Sequence, residues 1–259
     1  MRERGPGHAP AALCLAAHAA EPRIPALARL LGFSPLRGAA AQRYERALFE
    51  AETALSLRRL PADWTVLHSV PLAESRVVVP HLAIGPAGVF ALFPDPRPDA
   101  QVWLSGDLLT VDGVPSEALA DAEAAAHEIA VRLGDVLPRS VGVVPVVTFV
   151  APRRVLVRSA PRTARVLPMG EVAGWLRSLP EVCSALQVDR LADTAELPEV
   201  WGMRASAVAG GADLAPVHTE VAAAELRWQR ALRVLVAAAT AISATSAIGL
   251  AALLGVFGG

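Results

Sequence analysis

Residues 77–95, VVVPHLAIGPAGVFALFPD, decide how this chain folds. Val77–Ile84 and Gly88–Phe93 are almost wholly apolar and meet at Gly85-Pro86, while Pro94 and Pro96 break the far end. Such runs read as two buried strands joined by a Gly-Pro turn. Strands buried on both faces need cover on both sides, which makes this hairpin the centre of a mixed α/β domain.

The flanking sequence supplies that cover. Residues 35–60 read as a helix with Tyr44, Leu48, Ala51, Leu55 and Leu57 on its apolar side, stopped by Pro61. Strands follow at Thr65–Val70 and Arg76–Ile84, an antiparallel pair joined around Pro71–Ser75, then at Gly88–Phe93. Gln101–Leu104 and Leu108–Val111 form a second hairpin through Ser105-Gly106-Asp107. Ser116 can cap a helix reaching Leu133, with Leu119, Ala122, Ala126, Ile129 and Leu133 at helical spacing and Gly134 as its end. Val141–Val150 is an apolar strand of central character, although Pro145 favours an edge or a bulge, and Val155–Val157 pairs nearby. Short helices are expected at Glu171–Ser178 and Glu181–Ala195. The chain thus divides into a mobile tail at 1–34 with a short helix near Ile24–Leu31, an α/β domain at 35–196, a linker at 197–226, and a basic flank with an apolar segment at 227–259.

Three stretches carry a family resemblance. Phe49-Glu50-Ala51-Glu52-Thr53-Ala54, Trp64-Thr65-Val66-Leu67-His68 and VVVPHLAIGPAGVFAL together resemble the nuclease-related domain, NERD, over about residues 38–195. The resemblance implies a restriction-endonuclease-like fold, a mixed central sheet flanked by helices. It also implies a site of two strand acids holding Mg²⁺, a Lys two residues after the second acid, and a helix Glu. Carried over by position, the helix Glu falls on Glu50, the first acid on Pro80 with His81 beside it, the second acid on Phe93, and the Lys on Asp95. Proline and phenylalanine bind no Mg²⁺, and an aspartate reverses the charge of the Lys. The resemblance therefore implies a degenerate site with no catalytic residues and no metal, Mg²⁺ entering only if nuclease activity persists. Read by itself, Glu50 stands with Glu45, Arg46 and Glu52 on a solvated helix face, and His81 is a hydrogen-bonded strand histidine.

Composition narrows the chemistry further. All 24 basic residues among the 259 are Arg, which excludes Walker-type phosphate loops, Schiff-base enzymes and Lys-assisted nucleases. Cys14 and Cys183 show no C-x-x-C spacing, which fits a reducing compartment, and the six His are scattered without metal-ligand spacing. Charge is uneven. Residues 136–170 hold Arg139, Arg153, Arg154, Arg158, Arg162 and Arg165 and no acid, a run that reads by default as a solvated hairpin and otherwise as a patch for nucleic acid phosphates or anionic lipid.

Val234–Phe257 runs 24 residues without a charge, ten of them Leu, Ile, Val or Phe and eight Ala. A helix of that length reaches about 36 Å against a hydrocarbon core of about 30 Å, so a C-terminal transmembrane helix is expected at residues 234–257. Arg227, Arg230 and Arg233 precede it, which under the positive-inside rule leaves a cytoplasmic N-terminal domain on a single-pass protein of the cell membrane. Trp228 falls where an interfacial aromatic would lie. Ser243, Ala247, Ala251 and Gly255 recur every four residues, a small-residue face for a homodimer through the anchor. The N-terminal AALCLAAHAA ends like a signal-peptide cleavage site, but its apolar run is short and His18 interrupts it.

The sequence therefore points to a membrane-anchored NERD-like domain without nuclease chemistry, acting as a binding or scaffolding module for an unidentified protein partner. The alternative is a nucleic-acid-binding protein, or a residual metal-dependent nuclease using Glu50 and the Arg139–Arg165 patch.

Overall fold

A computed structural model describes residues 4–22, 24–73, 75, 77–137, 141–202 and 213–256, with side chains beyond 213 described at 213–237 and 240. The chain forms two compact units, residues 1–14 with 42–212, and residues 15–41 with 213–259.

The first unit is built on a five-stranded mixed sheet, as the central hairpin requires. β1 (Thr65–Pro71), β2 (Val78–Gly85) and β3 (Gly88–Asp95) are antiparallel neighbours. α4 (Ala118–Val136) then carries the chain across to β7 (Val143–Phe149), parallel to β3, and β9 (Arg165–Pro168) lies parallel beyond it. One face of the sheet is covered by α4 and α6 (Ala185–Glu196), which bury Ala125, Ile129, Leu133, Val188 and Leu191 against Leu67, Leu82, Ile84 and Val89. The other face meets α3 (Gly38–Leu57) and α5 (Met169–Ser178) through Leu57, Val172 and Leu176 on Ala83, Phe90, Leu92 and Val146. Two covered faces explain why β2 and β3 contain no solvent-facing alternation.

Local chemistry sets the joints. Gly85 and Gly88 close the hairpin, and Gly88 takes a φ of +117°. A β-carbon on Gly85 would come within 2.2 Å of the Trp64 ring, so only glycine lets that indole lie against the turn. Pro145 is tolerated inside the sheet because β9 pairs only from Val146 onward, leaving Pro145 a strand neighbour on one side, Ala91.

At Ser69 and Pro80 the β1–β2 ladder skips one pair: His68 pairs with His81 and Val70 with Val79, while 69 and 80 pair with nothing. Pro80 has no N–H to give, and Ser69 adopts a φ of +52°. Leu67 and Leu82 face the same core as Val70 and Val79, so both strands change face at this point.

A smaller sheet, ordered β6 (Val114–Pro115), β5 (Leu108–Val111), β4 (Gln101–Ser105), β8 (Arg154–Ser159), packs Val102, Leu104, Leu109 and Val111 against Leu119, Val147 and Phe149. β8 is its open edge, parallel to β4.

In the first unit α1 (His8–Ala20) begins after residues 4–7, which are held in place: Arg4 Nη1 donates to the Ser69 carbonyl at 2.9 Å. In the second unit α2 (Ala26–Leu30) is followed by Gly32, which approaches α7 (Ala215–Val256) so closely that a β-carbon would lie 2.2 Å from the Trp228 amide nitrogen. Trp228, expected at a membrane interface, instead packs edge-to-face on Phe33 with ring centroids 5.8 Å apart.

The mixed α/β sheet flanked by helices is present, but the expected anchor is overturned: among the described residues no helix is long and apolar enough to cross a membrane. α7 begins at Ala215 and carries Glu220, Glu225, Arg227, Arg230 and Arg233 before the uncharged stretch. Beyond them, Ala, Ser, Thr and Gly make up 14 of the 24 residues of 234–257. The single-pass orientation drawn from Arg227, Arg230 and Arg233, the cell-membrane location and the homodimer through the anchor fall with it. Ser243, Ala247, Ala251 and Gly255 have side chains outside the described residues.

Candidate functional site

Cross-strand register decides which candidate residues share a face. His81 lies opposite Leu92, and Leu92 opposite Val146, all on the side covered by α3 and α5. Phe93 lies opposite Val147 and Asp95 opposite Phe149, on the side covered by α4 and the small sheet. Glu50 stands on α3. The structure thus brings Glu50 and His81 together on one face and sends Phe93 and Asp95 to the other. Pro80 sits at the point where the strand changes face.

Each position has its own environment. Phe93 fills apolar space between two core clusters. Asp95 is buried, and Arg97 grips both its oxygens: Nε donates to Oδ1 at 2.7 Å and Nη2 to Oδ2. That hydrogen bonding raises the pKa of Arg97 and leaves the carboxylate committed.

Glu50 does not lie on a solvated face. The buried stripe of α3 is Tyr44, Ala47, Glu50, Ala54 and Leu57, while Leu48 and Leu55 are 42% and 59% exposed. Glu50 itself is 3% exposed. Burial pushes its carboxyl from an ordinary 4.5 up to about 7, against opposing pulls from Arg46 and from the Gly7 backbone N–H that donates to it. Oε2 has no hydrogen-bond partner among the described residues. Gly7 can approach because it is glycine: its φ is +71°, and a β-carbon would lie 2.7 Å from the Ala47 carbonyl oxygen.

Beside Glu50, His68 and His81 share one hydrogen bond, Nδ1 to Nδ1 at 2.8 Å, with rings edge-to-face at 88°. One ring must donate from Nδ1 while the other accepts there, and the accepting ring is neutral with its proton on Nε2. Burial pushes His68 down to about 4, with the Arg58 charge adding to it. Burial and then His68 push His81 down to about 3, and only the Glu50 backbone acts the other way. Glu50 and the two histidines thus form a polar patch enclosed in the fold. Thr148 and Ser56 are also buried hydroxyls without partners among the described residues.

A magnesium ion needs several oxygen ligands in near-octahedral array. Pro80 and Phe93 supply none, Asp95 is held by Arg97, and Glu50 lies across the sheet from it. Among the described residues no three His, Cys, Asp or Glu come together as a metal group. The donor set does not fit Mg²⁺.

The basic patch is exposed. Arg153, Arg154, Arg158, Arg162 and Arg165 all face solvent, and none is paired to a carboxylate among the described residues. Arg139 lies outside the described residues. Arg154 and Arg158 sit on β8, with Arg158 at the bulge where the β4–β8 register shifts. Next to Arg154 the outer face of the small sheet carries a depression of about 460 Å³ lined by Gln101, Trp103, Thr110 and Leu156. Sequence reasoning passed over Trp103. Its cue was the alternation of Gln101 and Trp103 against the buried Val102 and Leu104.

No protein-family model, curated protein or solved structure is matched by this chain.

Proposed function

We propose that the first unit is a nucleic-acid-binding domain that works through the arginines of β8 and the β8–β9 connection, on a NERD-like core without metal chemistry. The observation that carries this reading is the run of five exposed guanidiniums, Arg153 to Arg165, with no carboxylate pairing them among the described residues. Unpaired arginines spaced along β8, the β8–β9 connection and the start of β9 suit phosphate, because each displaces condensed counterions. The core assignment is supported by the order of elements: α3, then antiparallel β1, β2 and β3, then α4, then β7 parallel to β3.

The test is retention of labelled DNA and RNA by the full chain as salt is raised. Binding whose log affinity falls with log salt, and whose slope shrinks by about 0.7–0.9 for each arginine changed to Ala, supports the reading. Retention that ignores salt and survives Arg153→Ala, Arg154→Ala and Arg158→Ala together overturns it. Incubation with Mg²⁺ or Mn²⁺ tests the chemistry: cleavage that vanishes in Glu50→Ala would show that a metal nuclease persists.

A further inference from the structure

We propose that the outer face of the small sheet takes single-stranded nucleic acid, with a base stacked on Trp103 and the adjoining phosphate held by Arg154. The inference rests on the nucleic-acid reading above and names its substrate class.

The geometry follows from strand register. On β4, Val102 and Leu104 point into the core, so Gln101 and Trp103 must point out. Trp103 is flanked on one side by Thr110 of β5 and on the other by Leu156 of β8, and Arg154 stands opposite Gln101 on the same face. The indole is therefore shouldered at both edges and half-buried, while the depression leaves it open from above. Thr110 Oγ1 donates to the Trp103 carbonyl at 3.3 Å, fixing the strand beneath the ring.

Core packing does not account for an indole here, since the apolar cluster lies on the other side of the strand. An aromatic ring beside an unpaired guanidinium supplies the two parts that single strands need: a stacking platform and a cation for the backbone. Duplex bases are already stacked on one another and cannot use the ring. Charge selects the occupant: the edge beside Trp103 carries Arg153, Arg154 and Arg158, which suits a polyanion.

The experiment is anisotropy of fluorescein-labelled dT15 and rU15 with the full chain at low salt, beside a 15-base-pair duplex. Trp103→Leu keeps apolar volume without a π-face, and Trp103→Ala removes both. Both are expected to lose about 5- to 150-fold in affinity for the single strands, whereas Trp103→Phe stays within a few-fold of wild type. Arg154→Ala should lower the salt slope by about 0.7. Far-UV circular dichroism verifies the fold of each variant, and the Leu variant serves if the Ala variant unfolds. Binding of either single strand with this pattern supports the proposal. Unchanged affinity in Trp103→Leu, or tighter binding of the duplex, overturns it. If the arginine variants still weaken binding in that case, the nucleic-acid reading stands without the stacking site. If no nucleic acid is retained at all, both fall.

Discussion

Glu50→Gln isolates what the protein loses by burying an ionisable group under α3. In the folded chain the carboxyl titrates at about 7, against an ordinary 4.5. At about 1.4 kcal/mol for each tenfold change in proton affinity, this amounts to about 3 kcal/mol. The sign follows from linkage. Below pH 4.5 both states hold the proton and the shift has no effect. Between 4.5 and 7 the unfolded chain ionises while the folded one does not, so stability falls as pH rises, and above 7 the loss is complete. Glutamine is neutral throughout and close in shape. Whatever fixed cost its amide brings, including an unpartnered N–H, cancels when the variant is compared with itself across pH. The variant-minus-wild-type difference in unfolding free energy should therefore rise by about 3 kcal/mol between pH 4 and pH 8. Urea unfolding followed by tryptophan fluorescence at pH 4, 6 and 8 reads it. A difference that stays constant across that range would refute the claim that this carboxyl is buried.

The histidine pair predicts the opposite limb. His68 and His81 stay neutral in the fold down to about 4 and 3, so stability is full above 6.5 and falls with acid; His68→Gln should flatten that limb by about one proton, or about 1.4 kcal/mol per pH unit. Gly85→Ala drives a methyl into the Trp64 ring and should cost about 1–3 kcal/mol by thermal unfolding, with part of the loss recovered in a Trp64→Ala background. Trp201→Phe removes the buried Nε1–H bond of 2.8 Å to the Ala195 carbonyl and leaves a void beside α6; about 2–3 kcal/mol should be lost in a urea titration.

The hairpin at 78–95 was legible because its apolar runs and its Gly-Pro turn agree with both burial and register. α4 was legible for the same reason: Leu119, Ala122, Ala126, Ile129 and Leu133 are all buried, with Ala125 beside them. α3 misled because its apolar residues mark its core face only in part: Tyr44 and Leu57 are buried as expected. Leu48 and Leu55 are exposed, while Glu50, Thr53 and Ser56 are inside, and a pattern that assigns polar residues to water turns the helix the wrong way. The candidate site misled through the same blindness to direction. The resemblance grouped Glu50, Pro80, Phe93 and Asp95 in one site, and only strand pairing shows that α3 and Asp95 lie on opposite faces. Arg4 and Gly7 could not be anticipated from a segment that looks like a tail, since their roles exist only once Ser69 and Glu50 are in place.

The skipped pair at Ser69 and Pro80 bears on any attempt to engineer chemistry into this sheet. A carboxylate introduced by Pro80→Asp would occupy a pivot, where the backbone is turning from one side to the other, and would restore an N–H that the ladder is not shaped to receive. Grafting an active centre here is thus a problem of main-chain redesign: Ser69 would first have to leave its left-handed conformation and re-enter the ladder. Until it does, no choice of side chains at 80, 93 and 95 can aim at one point.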